Sequence, residues 1–175
     1  MAGIVIDLPR EYGLVVWSVT AIVLECVLLA GPIGKLRKKL FTKEFLETNF
    51  GAEHKAATGT DIAPGGYPDV GCGRYSQKLS YKDWYDFNNA QRAHLNLVEN
   101  IGLVIPMLLI SGLQYPTYAA IVGFAYFISR FLYGFGYIKS GPPGRLVGAG
   151  TSFLCLIALV VMTVMTGQNL YNRSK

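Results

Sequence analysis

Charged side chains are scarce in this 175-residue chain: Asp, Glu, Lys and Arg together make up 15% of it, against 51% hydrophobic residues. So little charge cannot clothe an ordinary soluble domain, and the composition excludes that class. Cysteine and histidine are scarcer still. Cys26, Cys72 and Cys155 have no paired spacing, two of them fall in apolar runs, and only His54 and His94 stand beside them. Neither a disulfide framework nor a zinc or other metal site is indicated. A cleavable leader is also missing. Asp7, Arg10 and Glu11 precede an apolar stretch too long for a signal h-region, with no small-residue cleavage site after it, so the first apolar run is expected to be retained.

What the chain has in quantity is long apolar sequence. Four stretches, about 12–34, 89–113, 117–138 and 146–170, each reach the roughly 20 residues that cross ~30 Å of hydrocarbon. In lipid every backbone polar group must be bonded within its own helix, so four such stretches predict an all-α, integral-membrane four-helix bundle of up-down topology in a single domain. The connection Gln114-Tyr115-Pro116 is very short and makes spans two and three antiparallel neighbours; KSGPPGRL does the same for spans three and four. Between spans one and two lies a long loop, about 35–88. Its stretch 51–76 is rich in Gly, Pro and Asp and is predicted to lack long regular elements. The loop is free to lie over the membrane-surface mouth of the bundle or to dock a partner. The Gly71-Cys72-Gly73 step within it has no strand before it and no helix opening after it, so it is not a dinucleotide fingerprint.

The net charge of +5 is unevenly spread. The KLRKKL run, Lys43, Lys55, Arg74, Lys78, Lys82, Lys139 and Arg145 fall in loops one and three, whereas the opposite face has Arg10, Arg173 and Lys175. The positive-inside rule therefore places loops one and three in the cytosol. KLRKKL reads as an interfacial anchor closing span one, and Tyr81, Trp84, Tyr85 and Phe87 read as an aromatic belt ahead of span two. The basic cluster hugs a span and has no recognition module beside it, which argues against nucleic acid as a partner and for anionic headgroups or an anionic substrate.

A few polar residues intrude on the spans. Arg92, Asn96 and Glu99 at i, i+4 and i+7 fall within about 60° of one another around a helix and form one stripe entering span two. Arg130, Tyr133 and Tyr137 form a second on span three. Ionisable groups in a span mark a site facing the bundle interior or a partner. At 1.5 Å per residue Glu99 lies about 10 Å below Arg92, Arg130 about 13 Å below Lys139, and Glu25 about 15 Å below Lys35. The three charges share a level. Arg130 is therefore predicted to pair with Glu99 or Glu25 as a structural intramembrane contact.

REYGLVV opening span one, LRKK closing it, FNNAQRAHLNLVE opening span two and SRFLYGFGY closing span three resemble the membrane-associated proteins in eicosanoid and glutathione metabolism, the MAPEG family. The resemblance covers nearly the whole chain except loop one. It implies homotrimers with glutathione as co-substrate, held near the cytosolic face between subunits, and lipophilic substrates arriving from the bilayer of the endoplasmic reticulum or mitochondrial outer membrane. It further implies that Arg92, Asn96, Glu99, Tyr133 and Tyr137 bind glutathione. Arg37 would reach into a neighbour's site, and His94 would face across the subunit boundary. Arg145, aligned by shifting loop three one residue, would activate the thiol catalytically. The implied activity is a glutathione transferase or a peroxidase. One departure keeps a second reading open: relatives usually carry an aromatic and a proline after the glutamate, where this chain has Asn100, Ile101 and Gly102. With the long loop, that departure fits a non-catalytic member that binds lipids or serves as an accessory subunit of a larger membrane assembly.

Overall fold

The computed structural model describes residues 8–64 and 69–173, so Asp7 and Lys175 of the charge count, and residues 65–68 of loop one, lie outside it. Four long helices run through it: α1 (Tyr12–Leu40), α4 (Tyr81–Gln114), α5 (Pro116–Ser140) and α6 (Leu146–Arg173). Each has the length and hydropathy to cross a membrane. Two short helices, α2 (Lys43–Leu46) and α3 (Ala52–Thr58), occupy loop one and are joined by a π-helical turn at Glu47–Gly51.

Helices α4 and α5 form the shared centre, with α1 and α6 each packed against both. On α1 the buried positions Val15, Ser18, Ile22 and Glu25 recur at helical spacing, while Trp17 on another face is 69% exposed. Hydrocarbon is as apolar as leucine, so helices in lipid associate mainly through close fit, and small residues supply it. Gly123 of α5 lies against Ser18 of α1, and Gly148 of α6 sits directly on the Ser129 carbonyl and the Tyr133 backbone of α5. A β-carbon at either glycine would collide.

Every long helix overruns its apolar segment. Helix α1 does not end with its apolar segment at Gly34; it continues through Pro32 and the KLRKKL run to Leu40. Leu36 and Leu40 are one turn apart and pack with Ile33 into a second core containing Phe41, Leu46, Phe50, Ile62 and Phe87. Arg37, Lys38 and Lys39 then sit in the last turn, where cations suit the helix dipole. Helix α4 begins at Tyr81, eight residues before the apolar run, because Ser80 caps it: its Oγ accepts the Asp83 N–H at 3.2 Å and donates to the Asp83 carboxylate at 2.7 Å. Its 34 residues extend about 51 Å, more than a bilayer core requires.

Loop one is therefore a built structure. Phe87, expected in an interfacial belt, is fully buried and meets Phe41 edge-on with centroids 5.4 Å apart. Trp84 donates its indole N–H to the Gly71 carbonyl at 2.8 Å. Segment 69–76 is knotted around Asp69, whose Oδ1 accepts from the Gly71 N–H, the Gly73 N–H and the Ser76 hydroxyl, and whose Oδ2 accepts from the Ser76 N–H at 2.7 Å. Burial pushes the Asp69 carboxyl up, but the bonds from Ser76, Gly73 and Gly71 outweigh it and hold the group below its ordinary range.

Two outcomes follow. Gly148→Leu lowers the thermal midpoint of the detergent-solubilised protein well below that of Gly150→Leu, since Gly150 has open space at its β-position. The stability contributed by Asp69 is fully present above the free carboxyl value of about 3.9 and disappears as pH falls through its lowered folded value. Trp84 fluorescence in a Trp17→Phe background reports the release of the 69–76 segment on acidification, and Asp69→Asn reproduces that release at neutral pH.

Candidate functional site

Helix α4 presents Arg92, Asn96 and Glu99 on one stripe, and α5 presents Tyr133 and Tyr137 one turn apart with ring centroids at 5.8 Å. Between α5 and α6 the chain reverses at Gly141, whose φ of 69° belongs to glycine, and makes a 3₁₀ turn over Pro142–Arg145. That reversal carries the Arg145 guanidinium to 5.2 Å from the centre of the Tyr137 ring. Arg92, Leu95, Asn96, Glu99, Tyr133, Tyr137, Pro142 and Arg145 thus line one polar cleft of about 310 Å³. Six of the residues singled out in the sequence meet in it.

Two do not. Arg37 packs its guanidinium over the Phe87 ring at 5.4 Å, against the second core. His94, half-buried, is two residues from Arg92 and so on another face of α4. No residue of loop one lines the cleft. The loop instead borders a wider groove of about 740 Å³, lined by Cys72, Trp84 and Asn88 among others, which meets the cleft only at Arg92. Of the two positions left open for the loop, its described residues take one alongside this cleft rather than over its mouth.

Arg130 and Glu25 are buried, at 3% and 4% exposure. The expected ion pair is nevertheless absent: among the described residues Arg130 makes no salt bridge with Glu25 or Glu99. Its Nη1 donates instead to Asn96 Oδ1 at 2.9 Å, and the guanidinium lies over the Tyr133 ring at 4.2 Å. Glu99 is exposed on the cleft side of α4, and both Glu25 oxygens are buried without a hydrogen-bond partner. Equal depth along the helix axes does not give equal direction around them for Glu99, while Glu25 stays within electrostatic reach of Arg130 without contact. One consequence falls on Asn96: its side-chain carbonyl is oriented by Arg130, which leaves both hydrogens of its NH₂ for other acceptors.

A second cleft of about 370 Å³ adjoins the first and shares Asn96, Tyr133 and Arg145 with it. Its other walls are Asn100, Tyr126, Arg130, Leu146, Ala149, Ser152, Phe153 and Leu156. Sequence reasoning passed over Tyr126 and Ser152. The signal for Tyr126 was its position one helical turn before Arg130, on the same face of α5.

Asn96 therefore has a structural role as well as a place on the wall of the polar cleft. Asn96→Leu strips a buried guanidinium of its hydrogen bond and costs about 1.5–3 kcal/mol of stability, whereas Glu99→Gln on the exposed side costs less than about 0.5. Thermal unfolding in detergent, with no ligand present, separates the two.

Compared with known protein families, residues 14–165 match the model of the MAPEG family. That match spans all four long helices apart from their outermost turns, and it includes every residue of the polar cleft. The chain belongs to the MAPEG family and is an integral-membrane four-helix protein of glutathione or eicosanoid metabolism.

Proposed function

We propose that the protein is a membrane glutathione S-transferase or glutathione-dependent peroxidase acting on lipophilic electrophiles or lipid hydroperoxides. Within the family its motifs resemble those of microsomal glutathione S-transferase 3. The observation that carries the reading is the convergence of Arg92, Asn96, Glu99, Tyr133, Tyr137 and Arg145 on one cleft. Glutathione is a tripeptide with two carboxylates, one ammonium and a thiol, and each finds a complement there. Arg92 offers the planar fork that suits a carboxylate, Glu99 suits the ammonium, and the Asn96 NH₂ suits a peptide carbonyl.

A thiol with a free pKa near 8.5 is mostly protonated at neutral pH, and the thiolate is the nucleophile. Arg145, stacked on Tyr137 and only half-buried, is placed to stabilise that thiolate without acting as a base. The tyrosine hydroxyls can donate to sulfur. In conjugation the sulfur forms a bond to an electrophilic carbon, and the departing group or opened epoxide oxygen takes up the proton. In peroxide reduction the sulfur attacks the terminal oxygen, the O–O bond breaks, and the alkoxide is protonated; a second glutathione then converts the sulfenic acid to disulfide and water.

Arg37 and His94, which lie away from the cleft of their own chain, fit a homotrimer in which they complete a neighbour's site. Loops one and three would then face the cytosol from the endoplasmic reticulum or the mitochondrial outer membrane. The competing reading is a non-catalytic, lipid-binding or accessory subunit. Asn100 favours it: where relatives place an aromatic ring, the Asn100 side chain turns back to donate to the Asn96 backbone carbonyl at 2.6 Å. Loop one, ordered by its packing against α1 and α4, also offers a surface for another protein.

Purified protein in detergent is expected to conjugate glutathione to a lipophilic electrophile or to reduce a lipid hydroperoxide; absence of both, with no glutathione binding, sinks the proposal. Arg145→Ala lowers kcat by at least ~10-fold with little change in glutathione affinity, and Arg92→Ala mainly weakens that affinity. Native mass measurement distinguishes a homotrimer from one copy among unrelated subunits.

A further inference from the structure

Glu25 sits on the buried stripe of α1, 4% exposed, and neither of its carboxylate oxygens has a hydrogen-bond partner. On α5, Arg130 uses Nη1 on Asn96 and leaves Nε and Nη2 unbonded. Tyr126, one helical turn away on the wall of the inner, 370 Å³ cleft, leaves its hydroxyl unbonded. Buried polar groups are almost always bonded, and each exception asks for an explanation. Here the exceptions are complementary: acceptors on α1, donors on α5. Glu25 is also within electrostatic reach of both Arg130 and Tyr126, although it bonds to neither.

Attraction between opposite charges needs no contact. It falls only as the first power of distance and strengthens where the surroundings are poorly polarisable. An isolated charge inside a span is expensive, so a guanidinium and a carboxylate buried in one bundle hold each other. The described spans contain a second carboxylate, Glu99, at the same depth. It lies one turn along α4 from Asn96, the residue that Arg130 already grips, and it is exposed on the polar cleft. Arg130 therefore has two carboxylates to choose from, one interior and one in the cleft, and makes a salt bridge with neither.

We propose that Glu25 is a positioning residue for the polar cleft: as the interior counter-ion of Arg130, it keeps the guanidinium on Asn96 and off Glu99, which leaves Glu99 free for the ammonium group of a ligand. The ligand-binding half of this inference rests on the glutathione reading; the competition between the two carboxylates does not. With the Glu25 charge removed, Glu99 is the carboxylate that remains in the spans to neutralise Arg130. A guanidinium that turns to it gives up the Asn96 amide and covers the acidic group of the cleft in one movement.

Two measurements on the full-length protein in detergent test this. The first is thermal unfolding, without ligand, of Arg130→Gln, Glu99→Gln and the double variant, each in the wild-type and the Glu25→Gln background. The shifts are expected to add in the wild-type background and to depart from additivity by at least about 2 °C in the Glu25→Gln background. The second compares binding of glutathione with binding of its analogue lacking the α-amino group. Wild type is expected to prefer glutathione about tenfold or more, Glu25→Gln to reduce that preference to about twofold, and Glu25→Asp, which keeps the charge, to restore most of it. A purely structural role for Glu25 weakens both ligands alike and leaves their ratio unmoved.

Additive shifts in both backgrounds overturn the proposal, as does a preference that Glu25→Gln leaves unchanged. Should Glu25→Gln alone not fold, Glu25→Gln/Arg130→Gln, which lacks both charges, is expected to fold, and its failure overturns the counter-ion role. Non-additive shifts in a protein that binds no glutathione uphold the competition and remove the transferase reading. Glutathione binding with additive shifts and an unmoved ratio does the reverse.

Discussion

The structure turns on how a guanidinium is accommodated among hydrocarbon. Arg130 lies inside the bundle, where an unpaired charge is expensive. Its solution is unusual: a neutral amide from α4 and an aromatic face from its own helix, with no contacting carboxylate. That arrangement ties α5 to α4 at a fixed rotation. Once Asn96 and Tyr133 are fixed by Arg130, Arg92 and Glu99 of α4 and Tyr137 of α5 are fixed as well, because they share rigid helices. The polar cleft is in this sense an outcome of solving the Arg130 problem.

The four spans were legible in the sequence because lipid makes the rule simple: a segment long and apolar enough to cross has no alternative but a helix. Their ends were not. Whether α1 stops at Gly34 or runs to Leu40 depends on Phe41, Phe50 and Phe87, which come from three separate parts of the chain and bury Leu36 and Leu40. Hydropathy scores these positions one at a time and cannot see that they meet. The same limit hid the order in loop one. Glycine, proline and aspartate near 69–76 correctly marked irregular backbone, but Asp69 uses that irregularity to collect four hydrogen bonds and dock the segment on α4.

The polar stripe Arg92, Asn96, Glu99 was readable from helical period alone, and Tyr133 with Tyr137 from the same rule on α5. The partner of Arg130 was not. Rise per residue fixes depth, and depth left Glu25, Glu99 and Asn96 as near equals. Direction around the axis decided among them, and no count along the sequence contains it. Arg37 and His94 make a related point. Their positions in a single chain say little about a site that, in the trimeric reading, is assembled between chains.

Two clefts sharing a wall create a division of labour that a single pocket would not. The outer one has acidic, basic and amide groups from α4, the end of α5 and the turn after it. The inner one has unbonded donors at its base and leucine and phenylalanine along its side. Asn96 stands in both, with its carbonyl turned to Arg130 and its NH₂ free. Any movement of Arg130 toward the inner cleft therefore strains the Asn96 bond, and the same amide lines the outer cleft. A change in one cleft then reaches the other without a moving helix, because one amide held by Arg130 forms part of both walls.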